Sequence, residues 1–411
     1  MVKVLRDIIA RNRAGTGAAI PSVCTAHPDV LRACLARAET LDRSIVVEAT
    51  SNQVNQFGGY TGIQPAGFIQ LVHDLADEVG VERGRIIFGG DHLGPQAWRS
   101  EPADTAMEKA RVLVDAYVRA GFRKIHLDCS EGCAGEAGQL GDAVTAERSA
   151  DLARVCLHSA DGAEDLLFVI GTEVPPPGGA RVDEDGAIPP TQPDAARATL
   201  AAHNDSFGDM APLIGGLVVQ PGVEFGPDTV HDLPMDRDPE LAAVVADQTG
   251  VCLEAHSTDY QSPDVYPRLA QLGFAFQKVG PALTYAYRAA LYQLDALRDR
   301  PALKRVMEAL MTANPQHWQG HYHGDADGLA RLRHDGLADR IRYYWAMPQA
   351  QAAVAELLAD VDSMPTHQVM TNPIPDAVLD RAEALTGSPA RRIVDAYIQL
   401  ALDPYFFREH S

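Results

Sequence analysis

The sequence predicts an α/β fold: a TIM (β/α)8 barrel with a helical C-terminal extension. Three observations carry this. Short apolar runs recur between residues 17 and 280, and each ends in a cluster of polar residues or glycines. Helical patterns lie between the runs, and from about residue 290 the strand pattern stops. A parallel strand covered on both faces reads as a continuous apolar run. Eight such units over about 280 residues fit a barrel, whose usual length is about 250 residues.

The runs are, in order, Gly17–Cys24, Ile45–Gln53, Ile86–His92, Ile125–Ser130, Leu167–Glu173, Leu217–Glu224, Val251–Ser257 and Phe274–Gly280. Helices are predicted over Pro28–Thr40, Pro65–Val79, Thr105–Ala120, Ala146–Ala160, Pro193–His203, Asp238–Gln248 and Pro263–Leu272. Ala110, Leu113, Val114 and Tyr117 show the i, i+3, i+4, i+7 spacing of one buried helical face. No G-x-G-x-x-G follows the first strand, which argues against a dinucleotide-binding open sheet. Beyond the barrel (1–290), the region 291–411 is predicted to pack on it as helices over Leu291–Ala309, Leu329–Arg333, Gln349–Leu358, Pro375–Leu385 and Pro389–Leu400. The loop Pro175–Gly179 is rigid, then flexible, and suits a gate. The loop His317–Gly324 carries three histidines among aromatics, and an aromatic-rich loop is the simpler reading of it than a metal site.

The chain has 411 residues and a net charge of −21, which argues against a general nucleic-acid surface. An anionic substrate therefore needs a local basic or backbone N–H site. Six scattered cysteines suggest reduced thiols and a cytoplasmic location. Met1–Arg13 is amphipathic without a signal-peptide core, and no apolar run is long enough to span a membrane.

Chemistry in a barrel gathers at the carboxyl ends of its strands. Asp91-His92, between Gly89-Gly90 and Gly94-Pro95, pairs a proton carrier with a metal-binding imidazole. Glu254 and His256, two apart on a strand, share a face. Glu173 and Glu224 are further acid/base or ligand candidates, while Asp128 and Ser130 suit substrate hydrogen bonding. Lys278 and Gly280, with Ser257 nearby, form a candidate anion cradle, because loops after strands 7 and 8 often hold phosphate in this fold. The amides of Asn52 and Gln53 suit sugar hydroxyls.

The stretches Glu48–Gly62, Gly89–Pro95, Gly171–Pro175, Val219–Phe225, Glu254–Tyr260, Lys278–Thr284 and Asp339–Trp345 together resemble the Z-subunit family of D-tagatose-1,6-bisphosphate aldolase over nearly the whole chain. The resemblance implies a barrel related to class II, metal-dependent aldolases. It implies a 4-epimerase that interconverts D-tagatose 6-phosphate and D-fructose 6-phosphate, or a non-catalytic subunit that stabilises a separate aldolase chain. No phosphate-binding G-x-x-x-x-G-K-[ST] loop or protein-kinase signature supports phosphoryl transfer. Within the resemblance, Asp91, Glu173 and Asp128 are catalytic. His92, Glu224, His256 and Glu254 hold a divalent ion, Zn²⁺ or Mn²⁺. Glu48, Asn52, Gln53, Ser130, Gln220, Ser257, Lys278 and Gly280 face the sugar phosphate, and Arg342 and Tyr343 help close the site. A retro-aldol route across C3–C4 gives 4-epimerisation, whereas deprotonation at C3 would give 3-epimerisation. The partners implied are a small sugar phosphate, an aldolase subunit and a further copy of the chain, with neither nucleic acid nor membrane.

Overall fold

A computed structural model describes residues 1–171, 188–370 and 374–408. Eight parallel strands close into a barrel in sequence order: β1 (Ile20–Cys24), β2 (Ile45–Thr50), β3 (Ile86–Leu93), β4 (Lys124–Leu127), β5 (Leu167–Ile170), β6 (Ile214–Val218), β7 (Cys252–Ala255) and β8 (Phe274–Val279), with β1 paired to β8. All eight predicted runs are present, and none is left as an edge strand open to further pairing.

The lower end of the barrel is plugged. The helix Val2–Arg11 turns Val2, Leu5, Ile8 and Ile9 onto Ile20, Val46, Ile87, Val169, Cys252 and Phe276. Apolar burial thus closes the amino-terminal ends of the strands and leaves polar chemistry to the opposite mouth.

Two helix expectations are corrected. Leu291–Ala309 is two helices, Pro281–Asp295 and Leu303–Ala313. Pro301 interrupts the helix, since it offers no N–H and restricts the residue before it. Asp295 then caps the second helix by accepting from the N–H of Ala302 (3.2 Å) and of Leu303 (2.9 Å). Asp238–Gln248 forms only a 3₁₀ turn over Leu241–Val245, because Glu240 adopts a left-handed conformation (φ 58°) and Asp238 accepts its N–H at 2.8 Å.

The C-terminal helices Ala326–Asp335, Pro348–Asp362, Asp376–Glu383 and Pro389–Leu402 pack on the barrel's outer ring. The last of these buries Ile393, Val394, Ile398 and Leu402, and its Asp395 pairs with buried Arg32 of the first barrel helix. Among the described residues no helix is long and apolar enough to cross a membrane.

Candidate active site

Barrel interiors are normally filled by branched apolar side chains. Here the layer beneath the mouth is charged. Lys124 Nζ lies 2.6 Å from Glu48 Oε1 and 2.6 Å from Glu254 Oε2. Lys278 Nζ lies 3.4 Å from Glu48 and 3.3 Å from Glu254, closing a four-membered ring of alternating charge across β2, β4, β7 and β8. Burial alone would drive Lys124 toward its neutral form, but Glu254 and Glu48 hold its pKa above the usual lysine range. Burial likewise opposes the charge on Glu48, and Lys124 and Lys278 override it, so its pKa falls. Gly89 makes the room: a Cβ there would sit 2.7 Å from Glu48 Cγ.

Above the ring, β3 carries a bulge. Gly90 pairs with Ile125 and Leu93 with Leu127, so β3 spends one residue more than β4. Successive side chains of a regular strand face opposite ways, and a bulge re-aims them. With His92 in the left-handed region (φ 47°), both Asp91 and His92 reach the mouth. Such backbone strain in a non-glycine residue is typical of functional sites.

Three imidazoles meet here. The ring centroids of His92 and His126 are 4.8 Å apart, those of His92 and His256 5.2 Å, and those of His126 and His256 5.3 Å. Ligand-type atoms of Asp91, His126 and His256 all lie within 4.8 Å of one another. His92 Nδ1 is 2.7 Å from Asp128 Oδ2, and its Nε2 is 3.7 Å from Asp91 Oδ1. His256 Nε2 is 2.8 Å from Glu254 Oε1. Burial pushes both His126 and His256 down to about 4, so both are neutral near pH 7.

A divalent cation fits this centre on two counts. His126 Nε2 is buried with no hydrogen-bond partner, an unusual cost for a polar atom. Four carboxylates (Glu48, Asp91, Asp128, Glu254) face only two ammoniums (Lys124, Lys278), an acidic surplus that suits a cation. Two carboxylate–histidine pairs, Asp128–His92 and Glu254–His256, are the outer partners that orient metal-binding imidazoles.

The predicted residues divide into those at this centre and those elsewhere. Asp91, His92, Asp128, Glu254 and His256 converge. Ser130 supports them, its hydroxyl donating to Asp128 at 2.6 Å and its N–H at 3.0 Å. Asn52, Gln53, Ser257, Lys278 and Gly280 line the cavity above, of about 320 Å³, with Ser257 also left-handed (φ 52°). Glu224 lies on a short hairpin behind the lining residue Ser257, where it accepts the N–H of Phe225 at 2.9 Å and burial raises it to about 7. Gln220 is spent on its own turn, accepting from the N–H of Gly222 (2.8 Å) and of Val223 (3.0 Å). Glu48 lies in the charged ring below the mouth. Glu173 and the Pro175–Gly179 loop lie outside the described residues.

Sequence reasoning missed Lys124, His126 and Arg340. A period-two count back from Asp128 would have found the first two, since Lys124, His126 and Asp128 fall on one face. The wall of the mouth is completed from the C-terminal extension by His321, Arg340, Arg342 and Tyr343, which face Tyr60 of the amide-rich loop after β2.

Residues 5–408 match the family model for D-tagatose-1,6-bisphosphate aldolase subunit GatZ/KbaZ-like proteins. A relative from Agrobacterium fabrum (strain C58 / ATCC 33970), named D-tagatose 6-phosphate 4-epimerase, is 47% identical over 378 residues, 88% of each chain. The crystal structure of a probable tagatose 6 phosphate kinase from Sinorhizobium meliloti 1021 superposes with a TM-score of 0.84 at 40% identity, covering 94% of this chain and 99% of that one.

Proposed function

This chain belongs to the D-tagatose-1,6-bisphosphate aldolase subunit GatZ/KbaZ-like family, and from that premise we propose that it is a ketohexose-phosphate 4-epimerase interconverting D-tagatose 6-phosphate and D-fructose 6-phosphate. The observation that carries this reading is the convergence of His92, His126 and His256 with Asp91 under a sugar-sized cavity that Asp91, His92 and His256 line.

The three imidazoles would hold a divalent ion, Zn²⁺ or Mn²⁺, which supplies Lewis acidity toward the ketose carbonyl. Asp91 beside them is the proton carrier, positioned by the ammonium of Lys278. It takes the proton of the C4 hydroxyl, and the C3–C4 electron pair moves toward the C2 carbonyl. This leaves a three-carbon enediolate and a three-carbon aldehyde phosphate. The aldehyde turns, recombination on its other face re-forms C3–C4, and Asp91 returns the proton to the C4 oxygen. Asn52 and Gln53 are placed to hold hydroxyls through the turn.

The test incubates the purified chain, loaded with Mn²⁺ or Zn²⁺, with D-tagatose 6-phosphate and follows D-fructose 6-phosphate. Absence of turnover sinks the epimerase reading. The family description favours a second reading, that the chain serves an aldolase as a subunit. It predicts no turnover by the isolated chain and a higher Tm for a class II tagatose-bisphosphate aldolase on mixing.

A further inference from the structure

The cradle that barrels commonly use for phosphate is taken in this chain by one of its own carboxylates. The N–H groups of Gly280 (3.0 Å) and Ala282 (2.8 Å), at the start of the helix after β8, both donate to Asp259 Oδ1. Lys278 is likewise engaged with Asp91, Glu48 and Glu254. An incoming phosphate finds these two backbone donors and this ammonium already engaged.

Two cations that touch no carboxylate stand in the part of the wall supplied by the C-terminal extension. Arg340 is 7% exposed, and its Nε donates to the carbonyl of His317. Arg342 donates to the carbonyls of Ala338 (2.5 Å) and Asp339 (3.2 Å) and to the hydroxyl of Tyr343 (3.1 Å). Among the described residues neither has a carboxylate within ion-pair distance, in a chain of net charge −21. Burying a guanidinium with no carboxylate in contact is costly, and the cost is recovered when an anion arrives. Both guanidiniums line the same cavity as His92 and His256, together with Arg99 and His321.

We propose that the phosphate of the substrate is seated by Arg340 and Arg342 of the C-terminal extension, with Arg99 and His321 at the rim, and not by Lys278 and the Gly280–Ala282 turn after β8. This rests on the sugar-phosphate reading above. The supporting turn, Arg340–Tyr344, is fixed to the barrel: Asp339 accepts from Thr284 Oγ1 at 2.6 Å and from Arg288 Nε at 2.8 Å. Tyr343 backs the two arginines, which lie 5.0 and 4.6 Å from its ring centroid, and it stacks on His317 at 4.9 Å. Planar guanidiniums suit the two-point grip that phosphate oxygens accept. Burial and the neighbouring Arg340, Arg342 and Arg99 lower His321 to about 4, so it meets the anion as a neutral hydrogen-bonding ring. Arg99 is already shared with Glu131, which makes it the weaker contributor. A ketose 6-phosphate then lies with C2–C4 over the imidazoles and C6 toward this wall.

Inorganic phosphate is titrated into the metal-loaded protein by calorimetry, comparing wild type with Arg340→Gln, Arg340→Lys and Arg99→Gln. Arg340→Gln is expected to weaken phosphate about tenfold or more, with Arg340→Lys between it and wild type. Arg99→Gln, a change at an exposed side chain that leaves the fold intact, is expected to weaken it about threefold. Wild type that binds no phosphate, or variants within about 1.5-fold of it, would overturn the proposal. Should Arg340→Gln fail to fold, Arg340→Lys and Arg99→Gln decide. No turnover is needed for this readout. A chain that binds phosphate through Arg340 yet epimerises nothing keeps this site and loses the epimerase reading. An active epimerase indifferent to Arg340 and Arg99 does the reverse.

Discussion

His92 Nδ1 sits 2.7 Å from Asp128 Oδ2, two side chains from adjacent strands joined in the floor of the mouth. The carboxylate fixes one ring nitrogen as the donor and so leaves Nε2 as the lone pair that faces Asp91. Asp128 is itself held by the hydroxyl and N–H of Ser130. His92 and Ser130 together overcome the burial that opposes its charge, and its pKa lies well below the usual carboxylate range. Asp128→Asn should keep the fold but lose this control of the tautomer. Outer partners of this kind are worth about 10–100-fold in metal affinity or activity. We expect kcat for D-tagatose 6-phosphate to fall by about that factor, and an unchanged kcat would remove Asp128 from the site.

The imidazoles and Asp91 are separable by metal content. With His92, His126 and His256 as ligands and Asp91 as proton carrier, His126→Ala should lose bound Zn²⁺ or Mn²⁺ on dialysis, measured by elemental analysis. Its Tm should no longer respond to added metal, because stabilisation by a ligand follows its affinity for the folded state. Asp91→Asn should retain the metal and lose turnover by about a hundredfold or more. Metal lost from Asp91→Asn but kept by His92→Ala would reverse the two roles.

The barrel was legible because each strand carries its apolar run up to the residue where the chain turns polar. Asp91, His92, Glu254 and His256 were legible for the same reason, standing at that boundary. Lys124 and His126 were hidden because they lie within the run of β4, where an interior polar residue breaks no periodicity that a covered strand is obliged to keep. The bulge at Asp91-His92 is a relation between two strands and exists only in their pairing. Arg340 reaches the mouth from the C-terminal extension, through a fold-level contact that local pattern does not encode. The Gly280 cradle was recognised as an anion site, but its occupant, Asp259, comes from the preceding loop.

That occupant should make stability depend on pH. Burial raises Asp259 to about 6 from 3.8, against the opposing pull of the Gly280 and Ala282 N–H groups. A carboxyl whose folded pKa is raised contributes stability that is fully present below its unfolded value and is lost as pH rises through its folded value. Between about pH 4 and 6 this group should therefore weaken the fold, by on the order of 2 kcal/mol. Both N–H bonds go to Oδ1, which Asp259→Asn retains as a carbonyl oxygen. The variant should match wild type near pH 4 and exceed it in stability near pH 8, read as the difference between paired urea melts. A constant difference across that range would show that Asp259 does not titrate there.

Gly89 tests the charged ring without removing a charge. Its Cβ position lies 2.7 Å from both Cγ and Oε1 of Glu48, closer than side chains tolerate, and the glycine sits mid-strand where the backbone cannot retreat. Gly89→Ala must therefore displace Glu48 from Lys124, its partner at 2.6 Å. Overpacking costs about 1–3 kcal/mol, and loosening a fully buried ion pair adds toward the 3–5 kcal/mol of breaking one. We expect a loss of about 2–4 kcal/mol in urea unfolding. Gly89→Ala with Glu48→Asp, one methylene shorter, should recover part of it through relief of the clash. If Gly89→Ala alone unfolds within about 0.5 kcal/mol of wild type, the ring is not packed as tightly as these contacts require.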